Sequence, residues 1–146
     1  MFLLFAGSVN AAYIDEISTD SLGDVRYFEN DVDVALNGIN FTIPAGFGLI
    51  ENESADGVDG DCNESVRFYV NGENEIIMIS ASPIVRHDLI LSDYTPCDVD
   101  MNPRSINGHG GIGWSMDNGT YFIYFDNDCI VTVGSSNGSY IEGIIR

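Results

Sequence analysis

Apolar and polar residues alternate most regularly between Asp31 and Ile43, where Val32, Val34 and Leu36 precede Asn37-Gly38 and Ile39, Phe41 and Ile43 follow it. Successive side chains of a strand point to opposite faces, and Asn-Gly supplies the two positive φ angles of a type I′ turn, so the segment predicts a hairpin. Pairing Leu36 with Ile39, Val34 with Phe41 and Val32 with Ile43 places every apolar side chain on one face and leaves Asn40 and Thr42 to solvent. Pro44 ends the second strand because it has no N–H to give to a ladder.

The same logic predicts an aromatic hairpin from Gly111–Met116 and Thr120–Phe125, with a turn at Asp117 to Gly119. Pairing across Asn118-Gly119 sets Met116 opposite Tyr121, Trp114 opposite Ile123 and Ile112 opposite Phe125. A third hairpin joins Val66–Val70 to Glu75–Ser80 through Asn71 to Asn74. The unbroken apolar run Ile76 to Ile79 implies a central strand covered on both faces. The predicted cover is a helix over 82–93, with Ser82 as N-cap and Pro83 at the first helical position. Ala45 to Cys62 reads as a Gly- and acid-rich loop. Asp126 to Asp128 turns the chain into the strand Cys129–Val133, and Ser139-x-x-Glu142 forms the capping box of a short C-terminal helix. The sum is an α+β domain: an antiparallel, hairpin-built sheet of about seven strands with one or two helices packed on one face.

These elements fill residues 31–146, a single globular domain, which suits a chain of 146 residues with 45% hydrophobic content. Residues 12–30 are polar and acidic without a clean period and read as a linker or a loosely attached N-terminal element. Residues 1–11 are an apolar run ending in small residues and read as the remnant of a signal peptide. No later run approaches the roughly 18 to 20 apolar residues that span a bilayer, so no membrane span is expected.

Charge changes the picture of partners. Against 23 Asp and Glu stand five basic residues, all arginine, for a formal net charge of −18. Such a field repels nucleic acid and anionic membranes and attracts cations and basic partners. Export is supported by five N-x-S/T sequons, at Asn40, Asn52, Asn63, Asn118 and Asn137, where about one or two are expected by chance. The competing reading is that Asn, Gly and Ser are turn residues.

Three cysteines allow one disulfide. Cys129 shares strand parity with Val131 and Val133 and reads as a buried hydrophobe, which leaves Cys62 and Cys97 as the expected pair. Asp59-Gly-Asp61-Cys-Asn63 has alternating oxygen donors suited to calcium, although Glu64 and Val70 stand where an EF-hand needs glycine and a bidentate acid. Calcium is the one cofactor considered; otherwise none is expected. Gly134-Ser135-Ser136-Asn137-Gly138 matches G-x-S-x-G, but no histidine follows Ser136, so the chain order of a hydrolase triad is missing. His87 and His109 have no partners at metal or triad spacing. No catalytic residue is assigned.

The hairpin Asn37-Gly-Ile-Asn-Phe-Thr-Ile-Pro44 with Gly46-Phe47, the run Ile106-Asn-Gly-His-Gly-Gly-Ile112 and the ending Ile141-Glu-Gly-Ile-Ile145 together resemble a group of small exported domains, without assigned function, of methanogenic archaea. The resemblance covers about residues 31 to 146 and implies a fold and an envelope setting, with no activity attached. The expected function is that of an extracellular or cell-envelope domain: a non-catalytic binding module facing an envelope glycan or protein. A calcium-stabilised structural module and a small extracellular hydrolase are the alternatives.

Overall fold

The protein is described from a computed structural model at Ile14, Ile17 and residues 22–51, 54–59 and 62–146, with the side chains of 55–59 and 62–64 left aside. The leader-like residues 1–11 lie outside the described residues.

Strands β1 (Val32–Leu36) and β2 (Ile39–Ile43) form a two-stranded ribbon in the expected register, Val32 with Ile43, Val34 with Phe41 and Leu36 with Ile39. Asn37 and Gly38 take φ angles of 49° and 80°, as a type I′ turn requires. The rest is one antiparallel sheet of eight strands: β3 (Phe47–Leu49), β4 (Ala55–Asp59), β5 (Cys62–Asn71), β6 (Ile76–Pro83), β7 (Asn102–Ile106), β8 (His109–Met116), β9 (Gly119–Asp126) and β10 (Cys129–Ser135). Their spatial order is β3-β5-β6-β10-β9-β8-β7, and β4 also pairs with β5. The chain therefore leaves β6 in the middle of the sheet, crosses to the far edge, and returns as a meander whose last strand slots beside β6.

Both faces of the sheet are buried. On one, Tyr69, Ile77, Ile79, Phe122, Tyr124, Val131 and Val133 meet Phe41 and Ile43 of the ribbon and Ile141 and Ile144 of the short C-terminal helix α1 (Ile141–Ile144). On the other, Phe68, Val70, Met78, Trp114, Tyr121 and Ile123 form a second cluster. Ile76 to Ile79 are accordingly buried at every position, as a strand covered on both sides must be. Each such Ile or Phe contributes about 1.5–3 kcal/mol by leaving water.

The cover of the second face differs from expectation. Ser82 and Pro83 end β6, paired with Ile130 and Cys129, in place of starting a helix over 82–93. A Ser-Pro step suits a strand end as well as a helix start, and pairing with β10 satisfies the backbone through Ser82. Residues 84–101 cross the face irregularly, with one 3-10 turn at Leu91–Tyr94, and pack Leu91, Tyr94 and Val99 against it. The 12–30 stretch adds Ile14, Ile17, Leu22 and Val25 to the same layer. It also reaches β3, where the Phe28 N–H donates to the Phe47 carbonyl at 2.7 Å.

Three further differences have local causes. The loop expected at 45–62 contains β3 and β4, held against β5. The aromatic hairpin turns at Asp117-Asn118, pairing Trp114 with Tyr121 and Ile112 with Ile123, a slip of two residues that keeps every side chain on its expected face. Gly119 becomes the first strand residue, opposite Met116, and a Cβ there would lie 2.6 Å from the Ser135 carbonyl oxygen, so the position admits no side chain. Last, the helical content expected on one face is, among the described α-helices, the single turn α1. Asn137, rather than Ser139, caps the turn at Gly138–Tyr140 before it, by accepting from the Ser139 N–H.

Candidate functional site

The β9–β10 connection is a two-residue turn in which Asn127 and Asp128 adopt φ of 49° and 58°, left-handed angles that Asn and Asp tolerate best after glycine. The Asp128 carbonyl accepts from the Ile84 N–H at 2.9 Å and pins the start of the crossover to this turn. Between them lies an open depression of about 450 Å³, lined by Ile84, His87, Leu89 and the run Phe125 to Asp128. The crossover wall carries Ile84 and Leu89 with the His87 ring, and the turn wall carries Phe125 and the carboxylates of Asp126 and Asp128.

The crossover also carries exposed apolar side chains. Of the five large hydrophobic side chains exposed among the described residues, Val85 (65%), Ile90 (64%) and Met101 (43%) sit in the crossover, and Phe125 (38%) faces it from β9. Tyr94 packs edge-on to Phe125 with ring centroids 6.2 Å apart, which holds the crossover to the sheet. Burial raises the Tyr94 hydroxyl pKa. Arg86 pairs with Asp88 at 2.7 Å, keeping that carboxyl below its usual range. Both are fully solvated, so the pair steers more than it stabilises.

A second polar constellation lies at the other end of the sheet. The Glu75 carboxylate accepts from Asn137 (3.0 Å), Asn71 (2.8 Å) and Tyr140 (2.8 Å), and these bonds hold it below the ordinary glutamate range. They also raise the Tyr140 hydroxyl. The node fastens the β5–β6 turn to the C-terminal turn. It presents no nucleophile beside a base and is read as structural.

Of the residues singled out from the sequence, Asp61 and Asn52 lie outside the described residues, as do the side chains of Asp59, Cys62 and Asn63. The calcium loop and the Cys62–Cys97 pairing fall there with them. Cys97 is an exposed thiol and Cys129 a buried one, both free among the described residues. Burial, aided by Asp128 and Asp126, raises the Cys129 thiol pKa. No cluster of three or more His, Cys, Asp or Glu side chains suited to a metal occurs among the described residues. Asn40 is exposed on β2. Asn118 accepts from the Tyr121 hydroxyl at 3.4 Å, and both amide atoms of Asn137 are engaged, with Ser139 and Glu75. Ser136 of the G-x-S-x-G run is committed to the backbone, its Oγ accepting from the Ile76 N–H at 2.8 Å. The His109 ring lies against Tyr124, with Nε2 2.7 Å from the Arg146 carbonyl.

Sequence reasoning marked Asp126 to Asp128 as a turn and missed the depression. The available signal was Phe125, which continues the apolar run Tyr121–Tyr124 of β9 to the solvent end of the strand. Compared with known protein families, with curated proteins and with solved structures, the chain finds no match in any of the three. No helix among the described residues is long and apolar enough to cross a membrane.

Proposed function

We propose that the protein is a non-catalytic binding module of an extracellular or cell-envelope setting, and that it engages its partner through the crossover face. The observation that carries this reading is that exposed Phe125 lines the open depression and that exposed Val85 and Ile90 directly follow its lining residues Ile84 and Leu89 in the chain, three of the five large hydrophobic side chains exposed among the described residues. Clustered exposed apolar surface with a polar rim is the mark of an interaction site. The residues that line the depression include no Ser, Thr or Cys nucleophile. The excess of sequons and the resemblance to exported archaeal domains support the setting.

The test is retention of the purified domain on envelope preparations from the organism that makes it, compared with a Val85→Ser/Ile90→Ser/Phe125→Ser variant. Val85 and Ile90 are largely exposed and Phe125 partly so, so the variant should stay folded, with a melting temperature lowered only by loss of the Phe125–Tyr94 contact, while retention measured well below it is lost. Equal retention of the two proteins overturns the reading, as does turnover of chromogenic esters or glycosides above the buffer rate.

A further inference from the structure

Resting on the binding reading above, we infer that the crossover face receives a cationic amphipathic segment of a partner protein, with its apolar side seated on Ile90, Phe125 and the depression and its Lys or Arg residues meeting Asp126 and Asp128. The competing occupants fail on charge. A second copy of the chain would bring −18 against −18, and nucleic acid or an anionic lipid surface carries the same sign. An apolar patch inside that field selects a partner that is greasy on one side and basic on the other, which an amphipathic helix laid in a groove supplies.

The rim itself is unevenly compensated. Asp88 is matched by Arg86 at 2.7 Å, and the Asp93 carboxylate accepts from the Ile90 N–H at 2.8 Å. Asp126 and Asp128 have no ion pair among the described residues and border the depression directly. Their negative potential already reaches Cys129, whose thiol they help to raise after burial. A cation beside the β9–β10 turn therefore relieves repulsion that the fold leaves in place. The apolar anchor and the acidic rim act together, since apolar contact holds the complex while opposite charge speeds and orients encounter.

The experiment titrates the full chain by calorimetry with three synthetic peptides of about 14 residues, long enough for one amphipathic face. One has Leu at helical spacing with Lys elsewhere, one has Glu for Lys, and one has Ser for Leu. The Leu/Lys peptide is expected to bind, to weaken about tenfold against Ile90→Ser/Phe125→Ser, as loss of central apolar anchors does, and to lose part of its salt dependence against Asp126→Asn/Asp128→Asn. Asn tolerates the left-handed angle of turn position 128 and matches the size of the Asp it replaces at 126, the last residue of β9, so the second variant keeps the fold. Binding of the Lys/Ser or Leu/Glu peptide as tightly as Leu/Lys overturns the inference, as does indifference to either variant or no binding at all. If Leu/Lys fails while envelope retention still depends on Val85, Ile90 and Phe125, the partner class is wrong and the binding reading survives; if both fail, both fall.

Discussion

Trp114 is 3% exposed and stacks on Tyr121 at 5.5 Å, yet its indole Nε1 has no hydrogen-bond partner among the described residues. An unmet buried donor costs about 1–3 kcal/mol, which offsets much of what the larger ring gains over phenylalanine. Trp114→Phe should therefore change stability by less than about 1 kcal/mol, whereas Trp114→Ala should cost about 3–5 kcal/mol, both read from urea unfolding. A large loss in the phenylalanine variant would show that the indole N–H is satisfied after all. Glu75 allows a pH test. Its folded pKa is depressed, chiefly by Asn137 and then by Asn71 and Tyr140. The unfolded chain thus binds the proton first, and the stabilisation is full above the ordinary value of 4.5 and lost as pH falls through the folded value. The stability gap between the parent and Glu75→Gln should be widest near neutral pH and close on acidification below that value. A gap that stays constant to low pH would remove the carboxylate from this role.

Elements owe their pairing to turns. Three two-residue turns, Asn37-Gly38, Asn107-Gly108 and Asn127-Asp128, hold both residues at positive φ, while neither Asp117 nor Asn118 does so. At Asn107 the φ of 51° is accompanied by side-chain bonds to the Ile145 carbonyl at 2.6 Å and the Glu142 carbonyl at 3.2 Å. Asn107→Ala should cost about 2–3 kcal/mol, combining the left-handed strain with the lost hydrogen bonds. Asn118→Ala, at a turn without that strain, should cost no more than about 1 kcal/mol, the loss of its long bond from the Tyr121 hydroxyl, by the same denaturant measurement. Equal effects would mean that backbone strain does not separate the two turns. The Asn107-Gly108 hairpin also shows what a sequence signal leaves out. Its first strand, β7, is exposed except at Ile106 and carries Pro103, so alternation gave no warning of a strand there. Proline and Arg104 on this outer strand are what blunts a sheet edge against other chains.

For the whole molecule, self-repulsion outweighs surface pairing. The ion pairs among the described residues, Arg86–Asp88, Arg104–Glu142 and Arg146–Asp33, are all substantially exposed, and each contributes about 0–1 kcal/mol. The formal net charge of −18 opposes compaction far more strongly. The melting temperature should rise from ~0.05 to ~0.5 M NaCl as the screening length shortens. A fall over that range would mean that attractive pairs dominate.

The sequence by itself determined the hairpins of β1–β2 and β8–β9, the burial of Ile76 to Ile79 on both sides, and the acidic character of the surface, because alternation, Asn-Gly chemistry and charge are local properties. Tertiary structure shows the two-residue slip that makes Gly119 a strand residue, beside the Ser135 backbone, where no side chain fits. It also turned Ser82-Pro83 into the end of a strand, since β10 offered a ladder that no nearby sequence reveals. The depression belongs to the same class: Ile84 to Leu89 and Phe125 to Asp128 are distant along the chain and meet only because β10 inserts beside β6. Long-range backbone pairing sets which surfaces are left open, and a periodic pattern within one segment carries no record of it.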